Sequence, residues 1–196
     1  MDIESFIIEF EKFSSDVRGY TSPASLKSIN AFEKKYALVL PEAYKQLLSY
    51  SNGIDVFYVN MIYGIGSRCN GLSISDVYKR EHFKKDSLMP LHYVPFSHDE
   101  KGNLYCFDTN NDSVILWEKT NGSNPGKETK VYKDLFEMIE GSIFKRILDE
   151  YDYDGEMKYK NALERKVAER EKRSCWKRNQ HEIVNLSFAS DLGHQL

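Results

Sequence analysis

The sequence of 196 residues lacks the features of membrane, secreted and zinc-binding proteins. No apolar run approaches the roughly 20 residues that a helix needs to cross a bilayer, and residues 1–13 lack the basic n-region of a secretory signal. The three cysteines, Cys69, Cys106 and Cys175, are far apart and have no CxxC spacing, so neither a zinc site nor a disulfide framework is indicated. We expect a cytoplasmic protein without membrane contact, whose cysteines are buried thiols.

A strongly basic charge is also absent, because the formal net charge is −3. Direct binding to nucleic acid is therefore not expected, since counterion release from a polyanion needs a basic surface. The charge is unevenly distributed: residues 1–154 carry 18 basic and 24 acidic side chains, and the last 42 residues have a net charge of +3. These values predict a main domain over residues 1–154 and a charged helical extension over residues 155–196.

No group of residues has the spacing of a catalytic or cofactor site. His82, His92 and His98 match no usual metal-ligand pattern, and the consecutive residues Ser97–Asp99 would not converge as a triad. The Gly64–Gly66 segment lacks the third glycine and the following helix of a dinucleotide-binding loop. We therefore predict no catalytic residue, no metal and no cofactor. A hydrolase that uses His82, His92 or His98 stays open as a lesser alternative.

Apolar residues three and four positions apart predict three helices in the N-terminal part. Asp2 is placed to cap the first helix, and Ser22 to cap a second helix over Pro23–Tyr36. That helix must end before Pro41, which begins a third helix that stops at Asn52-Gly53. The predicted inward faces consist of Ile3, Phe6, Ile7, Phe10 and Phe13, of Leu26, Ile29 and Phe32, and of Tyr44, Leu47 and Leu48.

The pattern between Ile54 and Tyr132 changes towards a period of two, with frequent turn residues. A short helix is predicted over Ser73–Phe83, a loop over Thr120–Lys130, and a long amphipathic helix over Tyr132–Tyr151. The fold class is therefore α+β: a mainly antiparallel sheet of five or six strands, flanked by the N-terminal helices and a C-terminal helix. The predicted strand runs are Val56–Val59, Met61–Ile65, Tyr93–Ser97, Asn103–Asp108 and Ser113–Trp117.

An acidic and aromatic cluster follows the long C-terminal helix. Negative charge is unfavourable at a helix C-terminus because of the helix dipole, so the cluster destabilises the end of this helix. A solvated helix end explains it, and so does a docking surface for a basic partner, because complementary charge speeds association and aromatic rings supply contact energy. The candidate partner-binding residues are Asp149, Glu150, Tyr151, Asp152, Tyr153 and Asp154.

The C-terminal segment 156–196, which we call the basic tail, is predicted to be helical over residues 156–178. Its apolar residues are too few and too far apart to form a helix face that could be buried against a core. Glu164, Glu169 and Glu171 are interspersed among the basic residues and favour a salt-bridged helix over a surface for nucleic acid or an acidic partner.

Over roughly residues 22–150 the sequence resembles the SUKH superfamily. Two sets of residues carry this resemblance. The first half of the match consists of Ile29, Phe32, Glu33, Leu40-Pro41, Tyr44, Lys45, Leu48 and Asn52-Gly53. The second half consists of Val94-Pro95-Phe96, Gly102-Asn103, Tyr105, Phe107-Asp108 and Val114–Trp117, followed by a closing helix over Lys133–Leu148.

The resemblance implies an α+β fold and a non-enzymatic protein that binds another protein. It also implies an immunity protein that neutralises a cognate toxin, often a nuclease, delivered between bacteria. The family has no general catalytic residue to transfer to this sequence. The alternative implied by its eukaryotic members is a regulatory or scaffold domain, for which the basic tail would be the discriminating part.

Overall fold

In the part of the chain that the structure describes, seven antiparallel strands form the centre of the fold, and each strand is hydrogen-bonded to the next strand in the sequence. The computed structural model describes residues 1–57, 60–66, 72–83, 89–118 and 126–158. The predicted α+β class is confirmed, with seven strands in place of five or six. Within the described ranges, no helix has the length and apolar character to cross a bilayer.

The chain divides into compact units over Met1–Glu156 and Met157–Leu196. The boundary predicted between residues 154 and 155 stays a prediction, and the helix predicted over residues 156–178 lies almost wholly outside the described residues. The helices are α1 (Ile3–Glu11), α2 (Leu26–Tyr36), α3 (Glu42–Tyr50), α4 (Ile74–His82), α5 (Leu135–Met138) and α6 (Lys145–Glu150). The strands are β1 (Arg18–Tyr20), β2 (Ile54–Val56), β3 (Asn60–Ile62), β4 (Tyr93–His98), β5 (Leu104–Asp108), β6 (Val114–Glu118) and β7 (Lys127–Tyr132).

Helix α2 begins three residues later than the Pro23 start predicted from the sequence. Its N-cap is Ser25, whose hydroxyl accepts a hydrogen bond from the backbone N–H of Ser28 at 3.1 Å. The preceding residues stay extended, and the N–H of Ala24 donates to the carbonyl of Leu48 at 2.8 Å. Leu26 is consequently 69% exposed, so its assignment to the inward face was wrong.

Two edge strands were not predicted, for different reasons. In β1, the turn-like Gly19 lies against Asp55, and a Cβ on Gly19 would be 2.5 Å from a carboxylate oxygen. Here glycine permits a close approach between strands. In β7, Lys127–Val131 are all exposed, so this strand lacks the apolar alternation that identifies a half-buried one. Lysines are common on edge strands, where charge prevents pairing with other chains.

Two predicted element boundaries also differ. Strand β2 ends at Val56 because Phe57 takes a positive φ of 61°, which interrupts the run predicted from Val56 to Val59. The C-terminal helix starts at Leu135, where Asp134 provides the N-cap, since Tyr132 still belongs to β7. From Leu135 to Glu150 the helix is continuous, with a π-helical segment at Ile139–Phe144 between α5 and α6.

The core is built from aromatic side chains between α3 and the central strands. The rings of Phe96 in β4 and Phe107 in β5 stack with centroids 3.9 Å apart. The Tyr44 ring of α3 lies 5.9 Å from Phe96 and 5.0 Å from Phe107. Its hydroxyl donates to the carbonyl of Tyr63 at 2.5 Å, and burial raises the pKa of Tyr44. These contacts fix α3 on the sheet.

Candidate interaction surfaces

The residues of the predicted family motif hold α2 and α3 together. The Glu33 carboxylate at the end of α2 accepts a hydrogen bond from the Leu40 N–H at 2.8 Å. It also lies 3.7 Å from the ammonium group of Lys45 in α3. A carboxylate that accepts from a backbone N–H satisfies a donor in the helix connection. The side chains of Glu33 and Lys45 are therefore already engaged in contacts within the fold.

The Asn52-Gly53 pair does more than end α3. The Asn52 side chain accepts from the N–H of Ile65 at 2.6 Å and donates to the carbonyl of the same residue at 3.0 Å. Gly53 has a φ of 107°, and a Cβ on Gly64 would lie 2.0 Å from the Asn52 carbonyl oxygen. The glycines predicted to form turns thus permit a close backbone contact, and the motif acts as scaffold.

Each of the three histidines has a neighbour within the fold. His82 Nε2 lies 2.8 Å from the Tyr93 carbonyl, and burial lowers the pKa of the His82 ring. The Tyr63 hydroxyl is 2.6 Å from His98 Nδ1, while His92 Nε2 is 4.0 Å from an Asp108 oxygen. The three imidazole rings therefore have three different polar neighbours.

The described ranges contain no set of three His, Cys, Asp or Glu side chains that would hold a metal ion. Cys106 is a buried thiol, as expected, whereas Cys69 and Cys175 lie outside those ranges.

Tyr153 fastens the acidic and aromatic cluster to α1. Its hydroxyl donates to the Glu9 carboxylate, and that hydrogen bond, followed by burial, raises the pKa of Tyr153. The ring meets Phe13 edge to face at 5.1 Å. The Tyr153 carbonyl also accepts from the Ser14 N–H at 2.9 Å. This tyrosine is half-buried and bonded within the fold.

The remaining five predicted contact residues fall into two groups. Tyr151 packs against Phe57 with ring centroids 4.9 Å apart. The Asp152 carboxylate accepts from the N–H groups of Asp154 and Glu156 at 3.0 and 2.8 Å, which closes the turn. Three carboxylates of the cluster are exposed, those of Asp149, Glu150 and Asp154. We call these three residues the acidic surface.

A second surface, which the sequence did not reveal, is a cleft of about 960 Å³ beside α2 and α4. Val39, Phe83 and Leu91 line it with side chains that are 68%, 69% and 67% exposed. Tyr36 and Tyr78 also line it, with ring centroids 4.7 Å apart. The available sequence signal was weak, because each rim residue is a single apolar side chain at the end of an element or in a connection.

Comparison with known proteins bears on the whole scaffold. The crystal structure of a protein from Pseudomonas syringae pv. tomato is similar, with a TM-score of 0.54, 14% sequence identity, and coverage of 71% of this chain and 97% of that chain. That likeness concerns the fold alone. A search of curated proteins gave no match. The sequence profile of the SMI1 / KNR4 family (SUKH-1) matches residues 23–141, which is more than half of the chain and includes the Glu33 and Asn52 contacts described above. The chain therefore belongs to the SMI1 / KNR4 family (SUKH-1).

Proposed function

We propose that the chain is a cytoplasmic immunity protein, which binds a cognate toxin domain and prevents the toxin from reaching its substrate. The family includes toxin immunity proteins, which supports this class of function. The observation that carries the proposal is the acidic surface. Its exposed carboxylates, those of Asp149, Glu150 and Asp154, lie on a segment held by the Tyr153–Glu9 hydrogen bond and by the turn that Asp152 closes. The expected partner is a basic domain such as a nuclease.

The charges of the acidic surface have little compensation from the residues that the structure describes. Asp149 and Glu150 end α6, where the helix dipole disfavours negative charge. Among the described residues, neither these two nor Asp154 form an ion pair. A nuclease must attract phosphate and therefore presents a basic face. Such a face would supply the missing countercharge, and a rigid acidic surface loses little conformational entropy on binding.

The direct test begins with the gene immediately upstream: if it is a large open reading frame that ends in a small domain, this domain is co-expressed with the full chain. We expect that this domain alone stops growth, that the chain restores growth, and that the two proteins elute as one complex. In vitro, the complex should lack the toxin's activity. Toxicity that persists in the presence of the chain, together with separate elution, would refute the proposal for that pair.

Neutralising the acidic surface is expected to slow association with the toxin domain about tenfold at low salt, because complementary charge acts mainly on the association rate. The variant is Asp149→Asn with Glu150→Gln and Asp154→Asn. Asp152 is kept because its carboxylate closes the turn. Stopped-flow measurement over a salt series should show a smaller salt dependence for the variant than for the wild type.

The matched control carries Glu4→Gln, Asp112→Asn and Glu140→Gln, three exposed acids outside the acidic surface, none of which forms an ion pair among the described residues. Asparagine tolerates the positive φ of 61° at position 112. Both triple variants change the net charge equally, so only a contact at the acidic surface separates them. If the two variants associate at the same rate, these acids lie outside the interface.

A further inference from the structure

We propose that the cleft beside α2 and α4 is a docking site for a segment of a partner protein that carries acidic residues next to one or two large apolar side chains. The apolar side chains would enter between Val39, Phe83 and Leu91, and the acidic residues would meet Lys34 and Lys35. This surface differs from the acidic surface in its charge preference. The inference therefore does not depend on the proposed binding of a toxin.

The apolar part of the argument rests on exposure. Val39, Phe83 and Leu91 come from three separate parts of the chain, and each leaves about two thirds of its side chain exposed around one cleft. Scattered exposed apolar residues are ordinary, whereas a contiguous patch marks an interaction site. The Phe83 ring lies 6.4 Å from the Tyr78 ring, which extends an aromatic wall into the cleft. Buried aromatic contacts of this kind supply much of the binding energy at protein interfaces.

The charge of the cleft favours an acidic ligand. Lys34 and Lys35 are exposed in the last turn of α2 and both line the cleft. The acidic residue beside them, Glu33, already interacts with Lys45 and with the Leu40 N–H. The net charge offered to a ligand is therefore positive.

A second copy of the chain fits this site less well than a different protein does. In a twofold dimer both copies use the same patch, so the positive charge of Lys34 and Lys35 in one copy would face a patch that is also positive. Like charges brought together at an interface are unfavourable. The acidic ligand must therefore come from a different surface, which a heterologous protein segment provides.

The test begins with a phage-displayed library of random 12-residue peptides selected on the immobilised full chain. We expect the enriched peptides to combine Leu, Phe or Trp with neighbouring Asp or Glu. One enriched peptide is then synthesised with fluorescein, and its affinity is measured by fluorescence anisotropy. Phe83→Ala and Leu91→Ala should each weaken binding at least tenfold. Lys34→Glu combined with Lys35→Glu should do the same and should reduce the salt dependence.

Matched controls separate the cleft from general surface effects. Leu26→Ala removes a side chain that is also 69% exposed but lies on the first turn of α2. Lys101→Glu with Lys133→Glu makes the same charge change at two exposed positions elsewhere. Both controls should bind the peptide as the wild type does. Circular dichroism melts of all variants establish that each is folded.

Three results would overturn the proposal. One is the absence of any enriched peptide. Another is an enriched set that is basic and whose binding survives Phe83→Ala. The third is an acidic peptide that binds the three cleft variants as tightly as the wild type. None of these results bears on growth protection by the chain, so failure here is distinguishable from failure of the toxin-binding proposal.

Discussion

Phe107→Ala is expected to lower the free energy of unfolding by about 3–5 kcal/mol, the usual range for removing a fully buried phenylalanine. The Phe107 side chain has no exposed area and its ring stacks on Phe96 at 3.9 Å. Its strand neighbours are Val94 in β4 and Val114 in β6, so the site is enclosed and collapse around the cavity is restricted. Urea unfolding followed by circular dichroism gives the difference, provided that the slope with denaturant is unchanged.

The natural control is Phe83→Ala, which removes the same ring from a position that is 69% exposed. Surface changes of this kind are usually within about 0.5 kcal/mol. The comparison also confirms that the loss of peptide binding in Phe83→Ala is not a loss of folding. If Phe107→Ala costs no more than about 0.5 kcal/mol, the range typical of surface substitutions, the aromatic packing between α3 and the sheet is looser than described.

The helices were predictable because their apolar spacing is local information. Phe6 and Phe10 in α1, and Tyr44, Leu47 and Leu48 in α3, were placed on the inward face from sequence and are buried. Strands β4, β5 and β6 were predicted for a similar reason, since each combines β-branched or aromatic residues with clear turn residues at its ends.

The edge strands were not predictable because nothing local identifies them. Strand β1 has three residues, and its Gly19 is required only because Asp55 of β2 lies against it. Strand β7 has an exposed and charged sequence, so its pairing with β6 is a tertiary fact. β-propensity depends on neighbouring strands more than helix propensity depends on neighbouring helices.

The two surfaces differ in how far the sequence indicates them. The acidic cluster is contiguous, so its charge was visible, but the partial burial of Tyr151 and Tyr153 depends on α1 and on the residue after β2. The cleft combines Val39, Phe83 and Leu91, which are separated by up to 52 positions in the numbering. Only the folded chain brings these three together, and no periodic pattern contains them.

Asn52 of the family motif has both a local role and a tertiary role. Asn52 was interpreted as a helix stop, yet its amide also bonds to both backbone groups of Ile65. A side-chain amide has one acceptor and two donors. The Asn52 amide can therefore bond to both backbone groups of Ile65, as a neighbouring strand would. This arrangement explains why asparagine, rather than glycine alone, suits the end of α3.

Asn52→Ala is accordingly expected to lower the free energy of unfolding by about 2–4 kcal/mol. Each buried backbone group that loses its partner costs about 1–3 kcal/mol, and Ile65 is only 8% exposed. Asn52→Asp should also destabilise the fold, because one oxygen still accepts from the Ile65 N–H while the other faces the Ile65 carbonyl. Urea unfolding of both variants provides the measurement, and amide hydrogen exchange at Ile65 should accelerate in the alanine variant.

Asn111→Ala is the control for this pair of variants. The Asn111 side chain accepts one local hydrogen bond, from the Ser113 N–H at 2.9 Å, in an exposed turn. Because water can replace that partner, its loss should cost no more than about 1 kcal/mol. Equal destabilisation by Asn52→Ala and Asn111→Ala would mean that the Asn52 amide does not hold the Ile65 backbone. In that case, the role of the residue would reduce to the helix stop predicted from the sequence.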